Sequence, residues 1–315
     1  MIMRFFENAN EGKNHWLRYV AVLVISYILA LIPSIIYVVG VAVKKTMSEG
    51  VMNQEQFNSL LSGQAGFVVM MLVFVFWLVF TLIFFKSFHG RECLTLISGD
   101  QRFRFNRFFA AAGCYSIFIL IFAAISIVFH SDDVTFHFDA TKFFVGFVLA
   151  LVLAPFQTGC EEVIFRGYLM QGFGLCTKSK IWACVIITLL FGLMHSANNE
   201  VADYGFLRAM SFYMIIGLAL GIFTVINDGI EFSWGIHFAH NFMGFTLFAV
   251  EGNEIGSPLF TITKDVASQS LMYSNLEVIF IAVALYFIFR RKFDWDIRRA
   301  FDSSSLKAVC NGVEH

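Results

Sequence analysis

The chain has 315 residues, 58% of them hydrophobic and only 14% charged, with a formal net charge of −1 and a mean hydropathy of +0.73. Soluble domains carry about 25% charged residues, and one this apolar would expose large patches and aggregate, so the natural solvent is lipid. The near-zero charge gives no general attraction to nucleic acid.

In chain order, residues 1–16 read as a polar N-terminal tail. Apolar runs follow at residues 17–43, 67–85, 108–129, 143–170, 181–195, 209–226, 232–250 and 276–289. A membrane span needs about 20 apolar residues, so these eight runs predict an all-α, polytopic membrane protein with about eight transmembrane helices. They form one membrane domain, residues 17–290, followed by a polar C-terminal tail, residues 291–315. The first run is longer than the roughly 7–15 residues of a signal-peptide core, and no lipidation motif is expected at either end. Cys93, Cys114, Cys160, Cys176, Cys184 and Cys310 include no CxxC pair. Most fall in apolar runs, where Cys packs as a small hydrophobe.

Most of the 22 Lys and Arg fall on one side of this eight-span plan. That side holds the N-terminal tail, the loop from Lys86 to Arg107, the turn near Lys178 and Lys180, and the C-terminal tail. Basic loops stay in the cytoplasm, so both termini are expected there. The stretch with Asp132, Asp133 and Asp139 is expected on the opposite side.

Ionisable residues inside spans are costly and mark functional sites. Three clusters qualify. Glu161 and Glu162 precede Arg166; Glu162 and Arg166, four apart on a helix, are neighbours in the favourable acid-first order. Glu161 points about 100° away, and an unpaired carboxylate in a low dielectric is suited to act as a general base. The alternative is a pair of water-facing carboxylates at a helix end. The second cluster is Phe191-Gly-Leu-Met-His195, where an isolated His would more often be a satisfied interfacial residue. The third is His237-Phe-Ala-His240-Asn241. Here His237 and Asn241 share a helix face, His240 lies near the same rim, and the group would otherwise serve as glue between helices.

A hairpin turning near residues 176–180 unites the first two clusters. Glu161 and His195 lie about 17 residues before and after its centre, hence at one depth, about 25 Å from the turn at 1.5 Å per residue. The site is expected to face the cytoplasm.

These residues resemble the CAAX-protease and bacteriocin-processing (CPBP, or Abi) family, which includes type II CAAX prenyl endopeptidases and bacteriocin-immunity proteins. The EExxxR, FxxxH and HxxxN motifs read here as Glu161-Glu162-Val-Ile-Phe-Arg166, Phe191-Gly-Leu-Met-His195 and His237-Phe-Ala-His240-Asn241, in the family's order, within a core of about residues 143–250. The resemblance implies an intramembrane endopeptidase acting on a membrane-associated or lipid-modified peptide. It implies Glu161 as the general base with His195, and His237 and Asn241 as donors to the oxyanion. It further implies Glu162 as a supporting carboxylate oriented by Arg166, and Phe191 as packing beneath His195. Glu161, His195 and His237 would also supply a two-His, one-carboxylate set for Zn2+, so metalloprotease and metal-free chemistry both stand. The competing classes are a non-catalytic immunity or scaffold protein and a proton-coupled transporter. The latter is disfavoured by the absence of a visible internal repeat.

Overall fold

A computed structural model describes residues 3–50, 53, 63–251 and 257–312. All eight apolar runs lie on helices. These are α1 (Trp16–Glu49), α2 (Gly63–His89), α3 (Phe105–Phe129), α4 (Ala140–Thr177), α5 (Lys180–Met194), α7 (Phe206–Asn227), α8 (Glu231–Thr246) and α9 (Lys264–Phe289), with the short α6 (Asn199–Tyr204) between α5 and α7. Among the described residues, five are long and apolar enough to cross a membrane (α1, α2, α3, α4 and α7), while α5 and the Tyr273–Phe289 part of α9 are shorter apolar helices. The chain is an all-α, multi-pass integral membrane protein.

The seventh run is shorter as a helix than expected. Its end, Phe248–Val250, is strand β2, which pairs in parallel with β3 (Phe260–Ile262); β1 (Val134–Phe136) pairs antiparallel on the other side of β3. A short apolar run carries no signal that separates strand from helix, so this small sheet was not legible.

Helix α4 runs for 38 residues, about 57 Å at 1.5 Å per residue, which is longer than a hydrocarbon core of about 30 Å. Asp139 caps its start by accepting from the Lys142 N–H. Its residues Glu162–Leu169 are π-helical, between α-helical Ala140–Glu161 and Met170–Thr177. A turn with Lys178 in the left-handed region leads to Ser179, which caps α5 by accepting from the Trp182 N–H.

Helix α4 packs on α2 and α8, α3 on α8, α1 on α2, and α7 on α5 and α9. Two glycines allow the closest approaches: a Cβ on Gly159 would strike the Trp234 ring, and one on Gly235 would strike the Phe108 carbonyl.

The end opposite the small sheet is closed by polar contacts. Arg104 grips Glu231 through Nε (2.6 Å) and Nη2 (2.7 Å), and Arg107 bonds Asn227 Oδ1 at 2.6 Å. Asp228 accepts the Phe5 N–H (2.9 Å) and the Arg4 N–H (3.0 Å). Burial raises its carboxyl above the usual range, and those two N–H groups offset part of that rise. Residues read as tails are therefore folded. Phe5 and Phe6 are buried, and Glu7 contacts both Lys180 and Ser305. Two short helices, α10 (Ile297–Phe301) and α11 (Ser304–Asn311), complete the same end. The described terminal segments thus share one end with the α4–α5 turn.

Candidate active site

Helix α4 supplies Gln157, Glu161, Glu162 and Arg166; His195 caps the end of α5; α8 supplies His237, His240 and Asn241. Phe191 sets the register between α4 and α5: its ring lies 5.5 Å from that of Phe165 and under the Arg166 guanidinium at 3.9 Å. One turn from Phe191 along α5 is His195, and one turn back from Phe165 along α4 is Glu161, so the antiparallel pair places them at one depth, as the hairpin arithmetic predicts.

The two glutamates have different surroundings because consecutive helical residues point apart. Glu162 is completely buried. Its Oε1 accepts from Arg166 Nη1 at 2.9 Å and lies 2.8 Å from His237 Nδ1. Arg166, also fully buried, reaches the Gly217 carbonyl on α7 at 3.4 Å. This pair is balanced in charge, as an ion pair out of water requires, while Glu162 Oε2 and Arg166 Nε make no hydrogen bond.

Among the described residues, Glu161 has no Arg or Lys partner. Its Oε1 accepts from Gln157 Nε2 at 2.6 Å; its Oε2 makes no hydrogen bond and lies 3.5 Å from His237 Nε2. Gln157 Oε1 in turn accepts from Asn241 Nδ2 at 2.8 Å. A continuous chain of polar groups therefore runs from Arg166 through Glu162, His237, Glu161 and Gln157 to Asn241.

His195 Nδ1 bonds the Phe191 carbonyl at 2.8 Å, and its ring stacks on Tyr213 at 4.3 Å. His237, expected as an oxyanion donor, lies between the two glutamates, with Nδ1 2.8 Å from Glu162 Oε1 and Nε2 3.5 Å from Glu161 Oε2. His240 faces away from this chain of groups and bonds the Tyr115 hydroxyl at 3.1 Å. Among the described residues, no group of three His, Cys, Asp or Glu side chains is gathered as a metal-ion site. The zinc trio of Glu161, His195 and His237 is therefore not assembled in this geometry, although each histidine has its Nδ1 tied and its Nε2 free of hydrogen bonds.

The site is closed toward the end that holds the termini. There the layer of Glu162, Arg166 and Tyr168 is fully buried, with the Arg104–Glu231 pair beyond it. The exposed flank is on the other side, where α5 stops and residues 196–199 emerge. Helix α5 has 15 residues, about 22 Å, so it ends within the membrane depth. Non-helical backbone there must be lined by protein or water.

Sequence reasoning missed Gln157 and Tyr213. Gln157 was detectable, being a polar residue within an apolar run and four residues before Glu161; Tyr213 is one aromatic among many and carried no such signal.

Residues 140–243 match the family described as Type II CAAX prenyl endopeptidase Rce1-like, a stretch that spans Gln157 to Asn241. Uncharacterized protein YyaK of Bacillus subtilis (strain 168) is 30% identical over 216 residues, covering 67% of this chain and 70% of that protein. No solved structure matches the chain.

Proposed function

Because the chain belongs to the Rce1-like family of type II CAAX prenyl endopeptidases, we propose that it is an intramembrane endopeptidase in which Glu161 is the general base that activates water. The substrate is a membrane-associated polypeptide, with lipid-modified CAAX-type chains as its leading class. The observation that carries this reading is the asymmetry of the two glutamates: each keeps one buried oxygen without a hydrogen bond, but Glu162 is ion-paired with Arg166 at 2.9 Å, while the free oxygen of Glu161 lies 3.5 Å from His237 Nε2.

The chemistry follows from these placements. A water at Glu161 Oε2 gives its proton to the carboxylate as its oxygen attacks the scissile carbonyl. His195 carries its ring proton on Nδ1, because a carbonyl only accepts, and so offers the Nε2 lone pair to the same water. Two carboxylates and one guanidinium leave the buried layer with one excess negative charge. His237, as an imidazolium donating to Glu162, balances it and presents Nε2–H to the oxyanion. Asn241 spends one amide hydrogen on Gln157 and has a second for the same oxyanion. Collapse of the tetrahedral intermediate breaks the C–N bond, and Glu161 returns its proton to the departing amine.

The Lys/Arg-rich end that holds both termini is assigned to the cytoplasm on the positive-inside rule.

The deciding assay uses purified protein in proteoliposomes with paired quenched peptides, one farnesylated at a C-terminal CAAX cysteine and one unmodified. Product masses identify the bond cut, with and without chelator. Glu161→Gln should lower kcat by about 10²–10⁴-fold, the contribution of a positioned general base, without impairing insertion. Wild-type rates in that variant would remove Glu161 from this role. Loss of activity with chelator, restored by zinc, would replace the metal-free route.

A further inference from the structure

His195 stands at a weak point of the fold. It follows the last residue of α5, in a turn where the His195 N–H bonds the Gly192 carbonyl and the Asn198 N–H bonds the His195 carbonyl. Helix ends fray, and the residues that follow are exposed. A histidine that must hold a water in register needs its ring plane fixed by something other than its own helix.

Helix α7 supplies that fixture. The Tyr213 ring lies parallel to His195, with centroids 4.3 Å apart and planes at 22°, while Phe191 touches the imidazole at 4.7 Å and 54°. The Tyr213 hydroxyl accepts from Asn198 Nδ2 at 2.9 Å and lies 3.5 Å from Glu200 Oε2, to which it can donate. The loop that leaves His195 is thus tied back to the ring that covers His195. The Phe191 carbonyl selects the tautomer, and Tyr213 selects the plane.

We propose that Tyr213, held by Asn198, is a positioning residue that orients the His195 imidazole for water activation; this rests on the peptidase reading above. Simple packing between α5 and α7 would also explain an aromatic at this position, so the test must separate the two.

The experiment measures kcat and KM for Tyr213→Leu and Tyr213→Phe, each alone and in the His195→Ala background. Tyr213→Leu should lower kcat about ten- to a hundredfold, the scale of a misplaced reacting group, with KM little changed. Tyr213→Phe keeps the stacked ring and should recover most of that loss. In the His195→Ala background Tyr213→Leu should cost nothing further. An equal fractional loss in both backgrounds, or a change in KM alone, overturns the proposal.

A second readout needs no substrate: carbethoxylation of His195, located by peptide mass. It should accelerate in Tyr213→Leu and not in Tyr213→Phe, and equal rates in all three proteins overturn the clamp. A protein that cleaves nothing yet shows the modification pattern would sink the peptidase reading and with it the catalytic purpose of the clamp, while its geometry stands.

Discussion

Replacing Gln157 by Leu removes one side chain of similar size and breaks two hydrogen bonds at once. One is charge-assisted, to Glu161 at 2.6 Å; the other is neutral, from Asn241 at 2.8 Å. Hydrogen bonds to charged groups contribute about 1.5–3 kcal/mol, and neutral ones about 0.5–1.5 kcal/mol. Glu161 would then have both oxygens without a donor, because Oε2 already makes no hydrogen bond. Leu nearly conserves volume, so the cavity contribution is small. If only the charge-assisted bond carries over to the transition state, the barrier rises by about 1.5–3 kcal/mol. That converts to a fall in kcat of roughly ten- to 150-fold at 1.36 kcal/mol per decade. The measurement is kcat and KM on the quenched peptide in proteoliposomes, with thermal unfolding followed in parallel. A folded Gln157→Leu protein with kcat within twofold of wild type would refute the claim that this amide holds Glu161 and Asn241 in place.

Gly235→Val would force α3 and α8 apart at the Phe108 carbonyl, two residues before His237; overpacking of this kind costs about 1–3 kcal/mol, and both Tm and activity should fall, with loss of neither excluding the close approach. Asp228→Ala should lower stability by about 1–3 kcal/mol by leaving the Arg4 and Phe5 N–H groups without their acceptor. Asp228→Asn, which retains an acceptor and tolerates the observed φ of 53°, should recover most of it; equal losses in the two variants would show that the contact does not matter. A variant retaining Cys176 alone among the six cysteines carries an exposed thiol near the α4 tip. An impermeant maleimide should label it in inside-out vesicles and not in intact cells, and the reverse pattern would invert the assigned topology.

The path from sequence to site was open where the rule was local. Glu162 and Arg166 pair because they are four apart, and Glu161 and His195 share a depth because each lies about one turn from the Phe165–Phe191 contact. Three features depended on rotations no spacing fixes. His237 meets Glu162 across 75 residues, and only the packing of α8 against α4 decides that it bridges both glutamates. His195 turns its Nδ1 to the Phe191 carbonyl behind it. The side on which the site opens depended on where α5 stops and on how much the terminal segments fill, and Phe5 and Phe6 gave no sign in the sequence that they are buried.

The π-helical stretch Glu162–Leu169 also has a consequence for what can change in this chain. An α-helix turns by about 100° per residue, so helices tolerate almost no insertions or deletions when both ends are committed to partners. Here both are: Gln157 and Glu161 face α8 partners on one side, while on the other Gln171 bonds the Phe5 and Thr95 carbonyls. A wide turn between them absorbs a residue that a regular helix could not. Deleting one residue there would restore a regular helix and leave its two halves out of phase, so that either the acids or the docking surface for the N-terminal segment would face the wrong way. The irregular stretch acts as a phase adjuster between two commitments.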